Sequence, residues 1–350
     1  MNLSFPTQSP MFKSSNGPID ICTFAYAINH NPRMIVINLL HILSALLGFV
    51  AFIFYFKTST IQKALLIMSA ELKLIIAVGL AYYLIGCLSA FVVYSYKIAL
   101  VVFNVAPCSL VWTGESCFIS MILYSNACVY AYSNFHFVLF IERLLVGVFR
   151  LPKQLMTVIC AFMAVYLLTY PPYVAINTYK SRLGDYQDRP YCYTGANWGA
   201  PTNSGFSTAL TLMLYDSSVS ICDFLLLLYN KHQIANLFSK VSTYSLNRSF
   251  ALRQSQISIR LIFPFSLVHS IGYIIQQSTY LISVHYSTSM TPEDEAFWRE
   301  VINCVRTFVL FLMAASQFLY FQFKRKQTNE WIDQENATDK HFRVFLRMIA

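Results

Sequence analysis

The stretch FISMILYSNACVYAYSNFHFVLFIERL, residues 118–144, is one apolar run that stops on an acid–arginine pair, Glu142-Arg143. Residues 118–141 suffice to cross a bilayer as a helix, which takes about 20 predominantly apolar residues. Six more runs of this kind cover residues 34–56, 72–94, 155–177, 206–230, 259–284 and 301–323. Spanning helices satisfy their backbone polar groups internally. The expected fold is therefore all-α: a polytopic bundle of seven transmembrane helices, with 118–141 as the third.

Composition points the same way. Of the 350 residues, 56% are hydrophobic and only 12% are charged, about half the charge of a soluble domain. The tail 1–33, the bundle 34–323 and a tail 324–350 account for the chain. The net charge of +9 suits a membrane surface rather than nucleic acid, because the basic residues sit between apolar spans. With the N-terminus outside, the inner segments and the inner ends of the spans carry 17 Lys and Arg and the outer segments seven; the remaining one, Arg306, falls inside the last span. That asymmetry predicts an outer N-terminus and an inner C-terminus. No secretory signal is expected ahead of the first span, since residues 1–33 are polar and broken by prolines.

Four of the nine cysteines fall on the outer side: Cys22, Cys108, Cys117 and Cys192. Cys117 precedes Arg143 by about 39 Å of helix at 1.5 Å per residue, which puts it at the outer mouth. A bridge to Cys192 would pin the second outer loop. Cys108 could compete for Cys192 or pair with Cys22. Asn2 heads a glycosylation sequon on the outer side. At the other terminus, Phe342, Phe345, Leu346 and Ile349 share one face of a short basic amphipathic helix suited to an anionic leaflet.

No enzymatic constellation is present: no HExxH, phosphate-binding glycine loop or GxSxG. Neither a cofactor nor a metal is expected, and His41 and His136 read as hydrogen-bonded bundle residues. Intramembrane charges are costly and usually functional. Asp216 and Asp223 lie at i, i+7 on one face of the fifth span, and a contact between Asp216 and Arg306 would relieve two buried charges. His269, Tyr273, Gln276 and Tyr280 form a polar stripe on the sixth span. With Met121, Tyr124 and Cys128 of the third span, they would outline an outer-half cavity for a small ligand. At the inner end, Arg143 is expected to rest on Glu142 and to release when an inner cavity opens, beside the basic Arg248 and Arg253.

An acid–arginine pair closing the third of seven helices resembles the arrangement in G-protein-coupled receptors. More specific likenesses are Cys22 ahead of the first span, Met68-Ser69-Ala70-Glu71-Leu72-Lys73 opening the second, and Pro107-Cys108 with Cys117 ahead of the third. The segment from Tyr244 through Leu246, Arg248, Phe250 and Arg253 to Gln254 adds to them. Together these resemble the nematode serpentine chemoreceptors of the Sra superfamily, class alpha or alpha/beta, over residues 20–325. The likeness implies a plasma-membrane receptor of chemosensory neurons, with a small chemical ligand and a heterotrimeric G protein as partners. Features of rhodopsin-like receptors are missing: the seventh span has Ser316-Gln317-Phe318-Leu319-Tyr320 where those have an Asn-Pro motif. Two other seven-spanning classes compete. A ligand-gated channel subunit would have an inner N-terminus, against the loop charges, and a small transporter would show repeats that are absent here.

Overall fold

The computed structural model describes residues 12–14, 17–57, 68–117, 119, 123–149, 151–180, 191–192, 203–239, 246–286, 290–291, 293–316 and 318–320. Seven long helices run through them. They are Pro32–Lys57, Ala70–Val102, Leu123–Leu144, Lys153–Lys180, Asn203–Ser239, Leu246–Tyr286 and Glu293–Tyr320, called here the first to seventh spans. The third is prolonged by a π turn, Leu145–Phe149. Among the described residues, five helices are long and apolar enough to cross a membrane. The fifth and sixth, 37 and 41 residues long, carry more polar side chains, among them the buried Asp216, Ser220, Asp223, Asn230, Ser255, Ser266, His269 and Gln276.

The helices outrun the apolar stretches. The second continues to Val102, past the 94 expected from hydropathy, because Lys97 is buried and neutralised rather than left in a loop. Its start is fixed by Ser69, whose hydroxyl accepts from Leu72 N at 3.2 Å, a standard helix cap. The N-terminal region, expected as a tail, contains structure. A two-stranded hairpin, Phe12–Ser14 with Gly17–Ile19, leads into a helix at Ile21–His30. Asp20 caps that helix, and the Thr23 hydroxyl donating to its carboxylate holds it below the ordinary carboxylate pKa. Phe24 and Ile28 then bury against Met34, Ile37, Tyr191 and Ala296. The tail 324–350, with its expected amphipathic helix, and Asn2 lie outside the described residues.

Polar side chains are buried and large apolar ones exposed along several helices. On the first span Asn38, His41 and Ser44 are buried, whereas Val36, Leu43, Val50 and Phe54 are exposed. On the fourth, Val158, Phe162 and Val165 point outward at 66%, 76% and 57% exposure. Such an apolar belt suits lipid. The third span is central, packing against the second, fourth, fifth and sixth. The largest core cluster gathers Tyr82, Tyr83 and Cys87 of the second span, Tyr132, Phe135 and Leu139 of the third, and Leu310 and Met313 of the seventh.

Two adjacent tyrosines do much of the joining. The Tyr83 hydroxyl lies 3.0 Å from Gly48 O and 2.9 Å from Leu310 O, linking the first, second and seventh spans. Tyr82 answers a defect in the fourth. Pro171 and Pro172 sit inside that helix and have no N–H, so the carbonyls four residues back, Leu167 and Leu168, lose their helical donors. In lipid such carbonyls need another partner. Tyr82 OH supplies it, at 3.0 Å from Leu167 O and 3.4 Å from Leu168 O. Tyr82→Phe should therefore lower the thermal unfolding temperature of the purified protein by the equivalent of about 1–3 kcal/mol. The loss should shrink when Pro171 and Pro172 are both replaced by Ala, since the helix regains its own donors. A loss of equal size in both backgrounds would refute this account.

Candidate functional site

Buried polar side chains form three layers along the bundle. The first lies at the end that carries the disulfides Cys22–Cys108 and Cys117–Cys192. There Lys97, 1% exposed, meets Glu300, 0% exposed. The Nζ–Oε1 distance is 2.9 Å. Lys97 also donates to Tyr191 OH at 2.8 Å and to Cys192 O at 3.0 Å, and lies 3.9 Å from the Tyr191 ring centroid. Tyr94 OH donates to Glu300 Oε2 at 2.9 Å, while His41 stacks on Tyr94 and reaches Thr307 Oγ1 at 3.0 Å. Removing two ions from water costs several kcal/mol each, and only close geometry with further hydrogen bonds offsets it. This pair has both. It joins the first, second and seventh spans to the Tyr191-Cys192 segment, which Cys117–Cys192 ties to the short helix Gly114–Cys117 ahead of the third.

The middle layer centres on Asp216. Its Oδ1 is 3.2 Å from His136 Nδ1, its Oδ2 is 3.3 Å from His269 Nδ1, and Ser270 Oγ donates to Oδ2 at 2.6 Å. Ser220 continues the chain, 2.6 Å from Ser270 and 3.3 Å from Ser266. The His269 ring is stacked along Tyr273 and meets Tyr132 edge-on.

The third layer is at the opposite end. Arg143 Nη1 donates to Asp223 Oδ1 at 2.9 Å, and the two side chains are 0% and 1% exposed. Beyond it Asn230 Nδ2 donates to Ser255 Oγ at 3.0 Å. A Cβ built on Gly147 of the π turn would stand 3.4 Å from both Asn230 and Ser255. The third, fifth and sixth spans thus come together here.

The second and third layers share a simple register. His136 pairs with Asp216 and Arg143 with Asp223: seven residues on in the third span, seven on in the fifth. Equal steps in the same sense require parallel helices, which two odd-numbered spans are. Seven residues are close to two helical turns, so the pairs stack on one seam about 10 Å apart.

Two expected contacts are corrected. Arg143 hydrogen-bonds Asp223 rather than its neighbour Glu142, which is buried beside it. Successive residues on a helix point in different directions, so a carboxylate facing from another helix wins. Asp216 meets His136, His269 and Ser270 rather than Arg306. The fifth span packs against the third and sixth, whose side chains reach Asp216 first. Arg306 lies close enough to act electrostatically on Cys128, Tyr132 and Tyr273.

Of the other residues assigned to a cavity, Tyr273 and Gln276 are buried and Tyr280 is half-buried. Cys128 turns to the second span, its Sγ 3.6 Å from Tyr82 O. Met121 lies outside the described residues, as does the Tyr124 side chain. Arg248 and Arg253 are on the first turns of the sixth span, with side chains outside those described. Sequence reading does not single out Lys97 and Glu300, because both sit at the edges of apolar runs and read as loop charges. A signal existed: each is set within one turn of apolar sequence.

A sequence model of the serpentine type 7TM GPCR receptor class ab chemoreceptor family matches residues 22–349. Comparison with curated proteins found no match. The match spans nearly the whole chain and singles out class ab from the two classes that the sequence resemblance left open.

The buried pair at the disulfide end can be tested directly. Glu300→Gln strands the Lys97 ammonium and should lower stability by about 3–5 kcal/mol, as loss of one partner of a buried pair does. Lys97→Met combined with Glu300→Leu should recover most of it in thermal unfolding of the purified protein. An equally unstable double variant would show that pairing is not what holds this layer.

Proposed function

Because the chain belongs to the serpentine class ab chemoreceptor family, we propose that it binds a small chemical cue between its helices and activates a heterotrimeric G protein through Arg143. It is an integral plasma-membrane protein of a receptor family, not an enzyme family. The finer reading puts the disulfide end outside the cell and the Arg143 end inside. Two disulfides at one end suit an oxidising compartment, and the excess of Lys and Arg in the opposite segments suits the cytoplasm. An antibody should then reach a tag at Met1 on intact cells, and a tag at Ala350 only after permeabilisation. The reverse pattern would favour a channel subunit with an inner N-terminus.

One observation carries the coupling proposal. Arg143 is fully buried, yet of its five donors only Nη1 is bonded in the structure; Nε and Nη2 are buried with no partner among the described residues. A guanidinium so placed is held in reserve. Buried donors without partners are costly, so a conformation that opens this end and offers acceptors competes well with the closed one. A ligand that favours the open conformation shifts the population toward it. Asp223 is the resting partner, and the carboxylates or carbonyls of a G-protein α-subunit would be the active one. The sensing end lies among Asp216, His269, Tyr273 and Gln276, on the seam that also carries Asp223.

Arg143→Ala should spare surface delivery and abolish the G-protein response. Asp223→Asn, which removes the resting counter-charge while preserving shape, should raise basal signalling several-fold in a G-protein dissociation assay. A ligand-evoked response of normal size in Arg143→Ala would sink the coupling proposal and leave the family assignment untouched.

A further inference from the structure

We propose that His136, Asp216 and His269 form a binding site for one divalent transition-metal ion of the zinc class, joining the third, fifth and sixth spans. One ligand-capable atom from each lies within 4.8 Å of the others, and all three residues are buried. Two imidazole nitrogens and a carboxylate oxygen are the donor set such ions take. The His136–Asp216 and His269–Asp216 contacts, 3.2 and 3.3 Å, are close to the separation of neighbouring ligands around an ion bonded at about 2.0–2.2 Å. A small inward movement of the two rings closes the set.

Charge balance favours a cation. Asp216 is 0% exposed, and among the described residues no lysine or arginine contacts its carboxylate. A buried anion in a bundle needs a compensating charge. The histidines supply one only by taking up a proton; a divalent ion supplies it with both imidazoles neutral.

The surroundings resemble those of built metal sites, where the ligands are themselves held by further hydrogen bonds. Ser270 donates to Asp216 Oδ2 and is held in turn by Ser220. Tyr132 and Tyr273 set the plane of the His269 ring. Three protein donors leave such an ion one position for a water, or for a nitrogen, oxygen or sulfur atom of a bound molecule. The site also lies two helical turns from Arg143 on the same seam, so an ion here would tie together the three helices that meet around that arginine.

The test is cobalt binding to the purified full-length protein in detergent after chelator treatment. Co²⁺ in a low-coordinate histidine–carboxylate site absorbs visible light far more strongly than the hydrated ion. The expected result is saturation at a single equivalent, competed by Zn²⁺. It should be unchanged in His232→Ala, which alters an exposed histidine elsewhere on the fifth span. It should vanish in His269→Asn, which keeps a donor for Asp216 but removes the imidazole. Ser270→Ala, which leaves all three ligands in place, should weaken binding by about 10–100-fold. Absence of the absorption in the wild-type protein overturns the proposal, as does its persistence in His269→Asn. If His269→Asn does not fold, Ser270→Ala decides alone: unchanged affinity overturns it. In either failure Asp216 is a hydrogen-bonded clamp between two histidines.

Discussion

A bilayer offers no hydrogen-bond partner, so every polar group within a span must find one inside the bundle. Most of the side-chain geometry in this protein answers that requirement. The apolar residues are divided between the core and the lipid face. What fixes one helix against another is a set of polar contacts: Tyr83 on two carbonyls, Tyr82 on the carbonyls freed by Pro171 and Pro172, Lys97 on Glu300, Asp216 between two histidines, and Arg143 on Asp223. Each joins different helices, so each also selects a register.

These contacts differ in how completely they are satisfied. At the disulfide end the Lys97 ammonium has three close partners and both Glu300 oxygens are engaged. Two disulfides brace the same region. At the opposite end Arg143 has one bond, and its remaining buried donors are unmet among the described residues. Glycine and a π turn replace regular helix there, a local geometry often found at functional positions. A gradient from saturated to unsaturated polar layers gives the bundle a fixed end and an end with something to gain by rearranging. The Asp216 layer sits between them, sharing its third- and fifth-span seam with Arg143.

On the proposed function, the parallel register of that seam would tie sensing to coupling with little machinery. A shift of the fifth span against the third changes the His136–Asp216 and Arg143–Asp223 distances together, because the same two helices carry both pairs at the same spacing. On the readings proposed above, a ligand or ion at the middle layer would bias the pair at the end through rigid helix, with no chain of intermediate side chains.

Much of this was legible in the sequence. Hydropathy gave seven helices and their order, since lipid contact imposes a composition that survives without knowledge of any neighbour. The acid–arginine pair marked one end of the bundle, and the intramembrane charges Asp216, Asp223 and Arg306 marked where polar contacts had to be. What hydropathy could not supply was the partner of each charge. In sequence, Arg143 pairs with the adjacent Glu142 and Asp216 with Arg306, because proximity and opposite sign are the only guides there. Lys97 and Glu300 passed for loop residues because each, taken alone, is too polar for a span. Only together, with Tyr191 brought in by Cys192, do they belong inside one. The sequence by itself determined which groups were too costly to leave unpaired. Only the tertiary structure decided which helix faces which, and hence who pairs with whom, because that depends on rotations and registers set jointly by all seven helices.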